Sequence, residues 1–228
     1  FGYSGHVQFA LGVRNPRVAD VSTSNGFESD NDGSGTSATP LTSPVFSNVT
    51  LIGPYKTTAD KNVNSMFGAG MHIRRNSSLS VFNSVFAGWN TGLLLDGTST
   101  YANATAGNLV IQNCVLSGCK VVAVNGAGNV TAAQAETFFN SGNNQTIADN
   151  ATAGITNSFY DATKTGAAAA PTSFLPASGS PLLSGASFTH AKLADNFFDK
   201  TPTFKGAFGT TDWTKEPWTN FDPQNTVY

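Results

Sequence analysis

Three short runs decide the architecture: Asn48-Val-Thr-Leu-Ile-Gly53, Asn83-Ser-Val-Phe-Ala-Gly88 and Asn113-Cys-Val-Leu-Ser-Gly118. Each opens on Asn, closes on Gly and follows the frame Asn-x-(Val/Thr)-(Leu/Phe)-x-Gly. Each is also preceded, two residues upstream, by an apolar residue: Phe46, Val81 or Ile111. The runs start 35 and 30 residues apart, and loops rich in Thr, Ser, Asn and Gly absorb the difference. Self-similarity on that scale marks a solenoid, in which one repeat buries its apolar side by stacking on the next. A second template alternates with the first. Gly26-Phe-Glu-Ser-Asp30, Gly70-Met-His-Ile-Arg74 and Gly92-Leu-Leu-Leu-Asp96 align from their glycines, and Val121-Val-Ala-Val-Asn125 fits the frame without one.

A strand periodicity of two assigns the faces. The first and third positions after the glycine are Phe27/Ser29, Met71/Ile73, Leu93/Leu95 and Val122/Val124, which suit an interior. The second and fourth are Glu28/Asp30, His72/Arg74, Leu94/Asp96 and Ala123/Asn125, which suit an exterior. Upstream, Val7, Phe9, Leu11 and Val13 alternate as one strand. Asp96-Gly97 and Asn125-Gly126 are turn pairs that end two of the strands. Short strands recurring with irregular loops point to an all-β fold, a right-handed parallel β-helix with long loops. Like positions of successive coils then lie about 4.8 Å apart.

Composition agrees. Of 228 residues only 12 are Lys or Arg and 14 Asp or Glu, while Gly, Ser, Thr and Asn together number 94. Glu occurs only at positions 28, 136 and 216, so strong helix formers are too scarce for a helical bundle. Hydrophobic residues still make up 39%, including 17 Phe, which excludes a disordered tract. A net charge of −2 offers no handle on nucleic acid or an anionic membrane. No apolar run approaches the roughly 18 residues of a membrane span. After Gly128 the pattern fades. Residues 131–139 read as a short helix with Thr131 as N-cap, and residues 188–198 as a second. The aromatic-rich end, with Phe204, Phe208, Trp213, Trp218, Phe221 and Tyr228, is expected to cover the open end of the solenoid. The expected organisation is one domain over 1–228, with regular coils to about residue 128 and irregular coils plus the cap over 129–228. The chain opens FGYSGHVQFALGV and reads as part of a longer one. Its first strand edge is expected to meet earlier coils or a neighbouring subunit.

The runs LGVRNPRVADVSTSNGFESDNDGSG (11–35), GMHIRRNSSLSVFNS (70–84) and TGLLLDG (91–97) resemble secreted or surface-anchored β-helix proteins of Bacteroidota. SGSPLLSGASF (178–188), KGAFGTTDW (205–213) and WTNFDPQNTVY (218–228) are similar to that family's C-terminal end. The resemblance implies the C-terminal part of a right-handed β-helix of the pectate-lyase-like superfamily, exported from the cell. It brings no catalytic motif.

Three constellations carry possible chemistry. Glu28, Asp30 and Asp32 with Asn31 and Gly33 form an acidic loop whose hard oxygens suit Ca²⁺; Asp-Asn-Asp-Gly is equally good turn chemistry unaided. The exterior column Glu28, Asp30, His72, Arg74 and Asp96, with Trp89 nearby to stack on a sugar, suits a polar groove for polysaccharide. In that column Arg74 is expected between Asp30 and Asp96. Such a column also reads as a plain cross-strand ion-pair ladder. Cys114 and Cys119 read either as small buried hydrophobes or as a disulfide across Ser117-Gly118. No phosphate-binding glycine motif, nucleophile elbow or paired-histidine metal motif is present. The function expected is an exported structural or adhesive module that binds glycan; the rival is a polysaccharide lyase or hydrolase using the same face.

Overall fold

The computed structural model describes residues 2–226. The first coil holds β1 (His6–Gln8), β2 (Leu11–Val13) and β3 (Phe27–Ser29); the second holds β4 (Val45–Ser47), β5 (Thr50–Ile52) and β6 (Ala69–Ile73). The third holds β7 (Ser80–Phe82), β8 (Val85–Ala87) and β9 (Thr91–Asp96). Helix α1 (Thr98–Thr105) leads to the fourth, with β10 (Ile111–Gln112), β11 (Val115–Ser117) and β12 (Val122–Ala127). Helix α2 (Ala132–Ser141) and a last strand, β13 (Gln145–Ile147), follow. All pairings are parallel and join like positions of neighbouring coils, in sheets ordered β1-β4-β7-β10, β2-β5-β8-β11-β13 and β3-β6-β9-β12. The protein is a parallel β-helix.

The register stacks the core. Phe46, Val81 and Ile111 stand side by side, as do Leu51, Phe86 and Leu116, and as do Phe27, Met71, Leu93 and Val124. Most of these side chains are fully removed from water, each worth roughly 1.5–3 kcal/mol. The fourth coil departs from the sequence alignment by two residues: Val124, not Val122, lies beside Leu93, and Asn125 beside Leu94. A shift of two keeps every side chain on its own face, so alternation could not detect it. Asn125-Gly126 therefore continues β12 instead of ending it.

The repeated asparagines are corners. Asn48, Asn83, Asn113 and Asn143 have φ of 53°, 51°, 56° and 54°, and each turns the chain onto a strand of the second sheet. Asn enters this left-handed region more readily than other residues bearing a Cβ. Phe9, with φ 59°, occupies the same corner in the first coil, so the alternating run Val7–Val13 is two strands and not one. Side-chain amides hydrogen-bond outward from these corners. Asn83 Nδ2 donates to the Ser187 carbonyl at 3.0 Å and its Oδ1 accepts from Ser187 N at 2.9 Å. Asn48 Nδ2 donates to the Phe204 carbonyl at 3.0 Å.

Those partners belong to the C-terminal segment, which runs along the side of the solenoid. Ala153, Ile155, Phe159, Phe174, Leu182 and Phe208 pack on Ile52, Val85, Ala87 and Val115, the outer face of the second sheet. Leu193 and Phe198 pack on Val45 and Phe82, on the outer face of the first. Phe221, Phe174, Phe208, Trp213 and Trp218 form one run of stacked rings. The aromatic segment is thus a lateral strap and not a lid on the open end; Tyr228 lies outside the described residues. The terminal cover is α2, whose Ala135 and Phe139 are buried in the same core as Leu109 and Ile111. Thr131 caps it as expected: Thr131 Oγ1 accepts from Gln134 N at 3.2 Å, and Gln134 Oε1 accepts from Thr131 N at 2.8 Å. The second expected helix is only a 3₁₀ turn at Ala191–Leu193.

The corners generate a stability prediction. Asn83→Ala places an ordinary residue at φ 51° and removes both strap bonds, for an expected loss of about 2–3 kcal/mol. Asn83→Gly restores the backbone freedom alone and should lose about 1 kcal/mol less. Chemical denaturation of the two variants measures the difference; equal losses would show that the left-handed corner is not the constraint.

Candidate functional site

The third sheet presents a different outer face. Its outward positions, in register, are Glu28, His72, Leu94 and Asn125. A groove of about 310 Å³ runs over it, lined by Ser22, Thr23, Asn25, Glu28, His72, Arg74, Asn90, Thr91 and Leu94. The floor is strand and the rims are the loops entering β3 and β9.

A charge network joins the coils here. Arg74 Nε donates to Asp30 Oδ1 at 2.7 Å, and Arg74 Nη2 donates to Glu28 Oε1 at 2.5 Å and Asp30 Oδ2 at 3.3 Å. Arg75 Nη1 donates to Asp30 Oδ2 at 3.0 Å. Glu28 Oε2 accepts from Asn25 Nδ2 at 2.8 Å. His72 Nε2 lies 2.9 Å from Asp96 Oδ2. The Asp30 hydrogen bond, with the fields of Asp30, Glu28 and Asp96, outweighs partial burial and holds the Arg74 pKa above its ordinary value. Arg74 therefore stays a cation, and its fork grips two acids of the preceding coil. The sequence placed Arg74 between Asp30 and Asp96; the second acid is Glu28 instead, because Asp96 is held by His72.

Of the residues singled out from sequence, Glu28, His72 and Arg74 line the groove, with Asp30 and Asp96 bonded to them. Trp89 does not belong. It is 1% exposed, packed inside the solenoid with Nε1 donating to the Leu51 carbonyl at 3.1 Å, and cannot meet a sugar. The acids of the expected Ca²⁺ set, Glu28, Asp30 and Asp32, are engaged by other partners. Among the described residues no group of three or more His, Cys, Asp or Glu side chains is placed to hold a metal ion. Glu28 and Asp30 spend their oxygens on guanidinium groups, while Asp32 folds its own turn, accepting from Ser34 N at 2.7 Å and from Thr36. The Thr36 hydroxyl holds the Asp32 pKa below the usual carboxylate value. Alternation found the column, but not the rim residues Ser22, Thr23 and Asn90, which lie in irregular loops and carry no repeat signal, nor Thr91 at the start of β9. A cleft of similar size lies between residues 54–63 and 159–163. Its acids are tied down locally, Asp60 by Thr57 and Asp161 by Thr163 and Lys164.

Residues 1–163 match the family model described as pectate-lyase like beta helix domain, and the chain belongs to that family. Comparison with curated proteins and with solved structures gives no match. Among the described residues no helix is long and apolar enough to cross a membrane.

Cys114 and Cys119 are free thiols, which sets aside the disulfide. Strand β11 separates them: Cys114 is buried in the core before it, and Cys119 packs on the core's margin after it. Burial pushes both thiols up to about 12, so they stay protonated and unreactive through the physiological range. Unreduced native protein at pH 8 should therefore resist iodoacetamide, and denaturation alone should release both thiols for labelling. Labelling that required a reductant would restore the disulfide.

Proposed function

We propose that the protein is an exported, cell-surface β-helix module that binds a glycan in the groove over the third sheet. One observation carries the reading: the strap covers the outer faces of the first two sheets with apolar contacts, whereas the third carries a polar, half-exposed groove. Hydroxyls, amides, a guanidinium and an imidazole converge there around the apolar Leu94, the mixture a sugar ring with polar edges and C–H faces requires. Export and surface placement rest on the resemblance of the runs 11–35, 70–84 and 91–97 to secreted or surface-anchored β-helices. Binding is favoured over cleavage because Glu28 and Asp30 are both engaged by guanidinium groups, which leaves neither as a free acid or nucleophile.

The His72–Asp96 pair at 2.9 Å supports the second reading, a lyase or hydrolase in which the imidazole exchanges the proton. Incubation with a panel of acidic and neutral polysaccharides separates the two. Retention without new reducing ends or unsaturated products is the expected result, and turnover abolished by His72→Ala would favour the enzyme.

The binding reading also predicts a separation of effects at Arg74. Arg74→Ala should abolish retention on the panel while lowering stability by about 1 kcal/mol, the scale of a partly exposed ion-pair network. Affinity electrophoresis and a melting curve on the same sample measure both. Unchanged retention would remove the groove from the reading.

A further inference from the structure

The geometry points to a neutral glycan as the ligand of this groove, and to rejection of polyuronates; the inference rests on the glycan-binding reading above. The argument is one of committed charge against uncommitted hydrogen-bonding groups. Of the guanidinium groups at or beside the groove, Arg74 and Arg75 are held by carboxylates of the preceding coil, and Arg14 Nη2 donates to the carbonyl of the lining residue Asn25 at 2.7 Å. Three fixed positive charges, Arg14, Arg74 and Arg75, thus meet three negative ones, Glu28, Asp30 and Asp96, and two of the three cations are already paired with carboxylates. Asp20, outside the groove lining but bonded to its rim residue, accepts from Ser22 N at 2.7 Å and Ser22 Oγ at 2.5 Å and adds a carboxylate nearby. A polyanion entering the groove would have to displace a carboxylate from Arg74 and lie against the rest, an arrangement that like-charge repulsion opposes.

The neutral groups stand the other way. Thr23, Asn90 and Thr91 line the groove, and among the described residues their side chains have no hydrogen-bond partner. Nη1 of Arg74 and Nδ1 of His72 are likewise uncommitted, while their other nitrogens are occupied. These groups donate to and accept from hydroxyls without any change in the ion-pair network. A site built to bond hydroxyls loses strongly when they are replaced by a group it cannot pair.

Polymers with a common backbone and a neutral or an anionic substituent test this with the intact chain. Hydroxyethyl cellulose is compared with carboxymethyl cellulose, and fully methyl-esterified polygalacturonate with its de-esterified form, by affinity electrophoresis at low ionic strength. The neutral member of a retained pair should bind at least about tenfold more tightly, and the gap should narrow as added salt screens the repulsion. Glu28→Gln and, independently on another coil, Asp96→Asn should each raise the affinity for the anionic member, with melting curves confirming that the variants fold. Equal or tighter binding of the anionic member, lost in Arg74→Ala, would overturn the inference and leave glycan binding standing. A preference unmoved by either charge-removing variant would also overturn it. Failure of every polymer to bind would remove both the inference and the reading beneath it.

Discussion

The structure depends on one backbone constraint, the left-handed corner between the first and second sheets. A β-helix must bend sharply there in every coil without losing strand register, and a residue at φ near 50° makes that bend in a single step. The asparagines at positions 48, 83, 113 and 143 do so at little steric cost. Their backbone amides stay in the ladder, Asn48 N donating to the Phe82 carbonyl at 3.1 Å and Asn83 N to the Gln112 carbonyl at 3.0 Å. One residue type therefore solves turn, register and backbone satisfaction together. Glycine would meet the first demand but supplies no side chain, and the side chain is what couples the corner to the rest of the molecule.

That coupling explains how the three outer faces divide. Amides of Asn48 and Asn83 reach the backbone of the C-terminal segment, whose Gly206 N in turn donates to the Asn83 carbonyl at 2.7 Å. The strap is thereby aligned along the corner, with apolar residues to either side falling on the first and second sheets. Lys192 reinforces it, Nζ donating to Ser80 Oγ at 2.9 Å and to the Asn108 carbonyl. The third sheet lies away from that corner and keeps its outer face for polar side chains.

The sequence carried the elements that repeat and little of what does not. Register of the first three coils followed from glycine-anchored alternation, because Gly26, Gly70 and Gly92 stand where a Cβ would strike the next backbone or Trp89. Glu28, His72 and Arg74 were legible as one face for the same reason. Trp89 was misplaced because the alternating frame does not extend across the turn at Gly88, φ 69°, which swings the indole inward. Helix α1 went unseen because Thr98–Thr105 is Thr- and Asn-rich and has neither a side-chain cap nor an apolar stripe. The strap was read as a lid because composition reports that aromatic rings need covering but not which apolar surface covers them.

The groove's charges also belong to the scaffold. Among the described residues β3 pairs with β6 alone. Arg74 and Arg75, just beyond β6, grip Asp30 just beyond β3, and Asn76 Nδ2 donates to the Thr36 carbonyl at 2.9 Å in the loop that follows. Asn76 is itself held from the next coil by Asn103 of α1, which donates to its Oδ1 at 2.9 Å. The outer face of the third sheet is thus tied coil to coil by side chains where the first two sheets are tied by the strap. A ligand that displaced Glu28 or Asp30 from Arg74 would loosen β3, whereas one that used the uncommitted groups, Arg74 Nη1 among them, would leave that tie intact. The same pairing that makes the face stable therefore limits what it can bind.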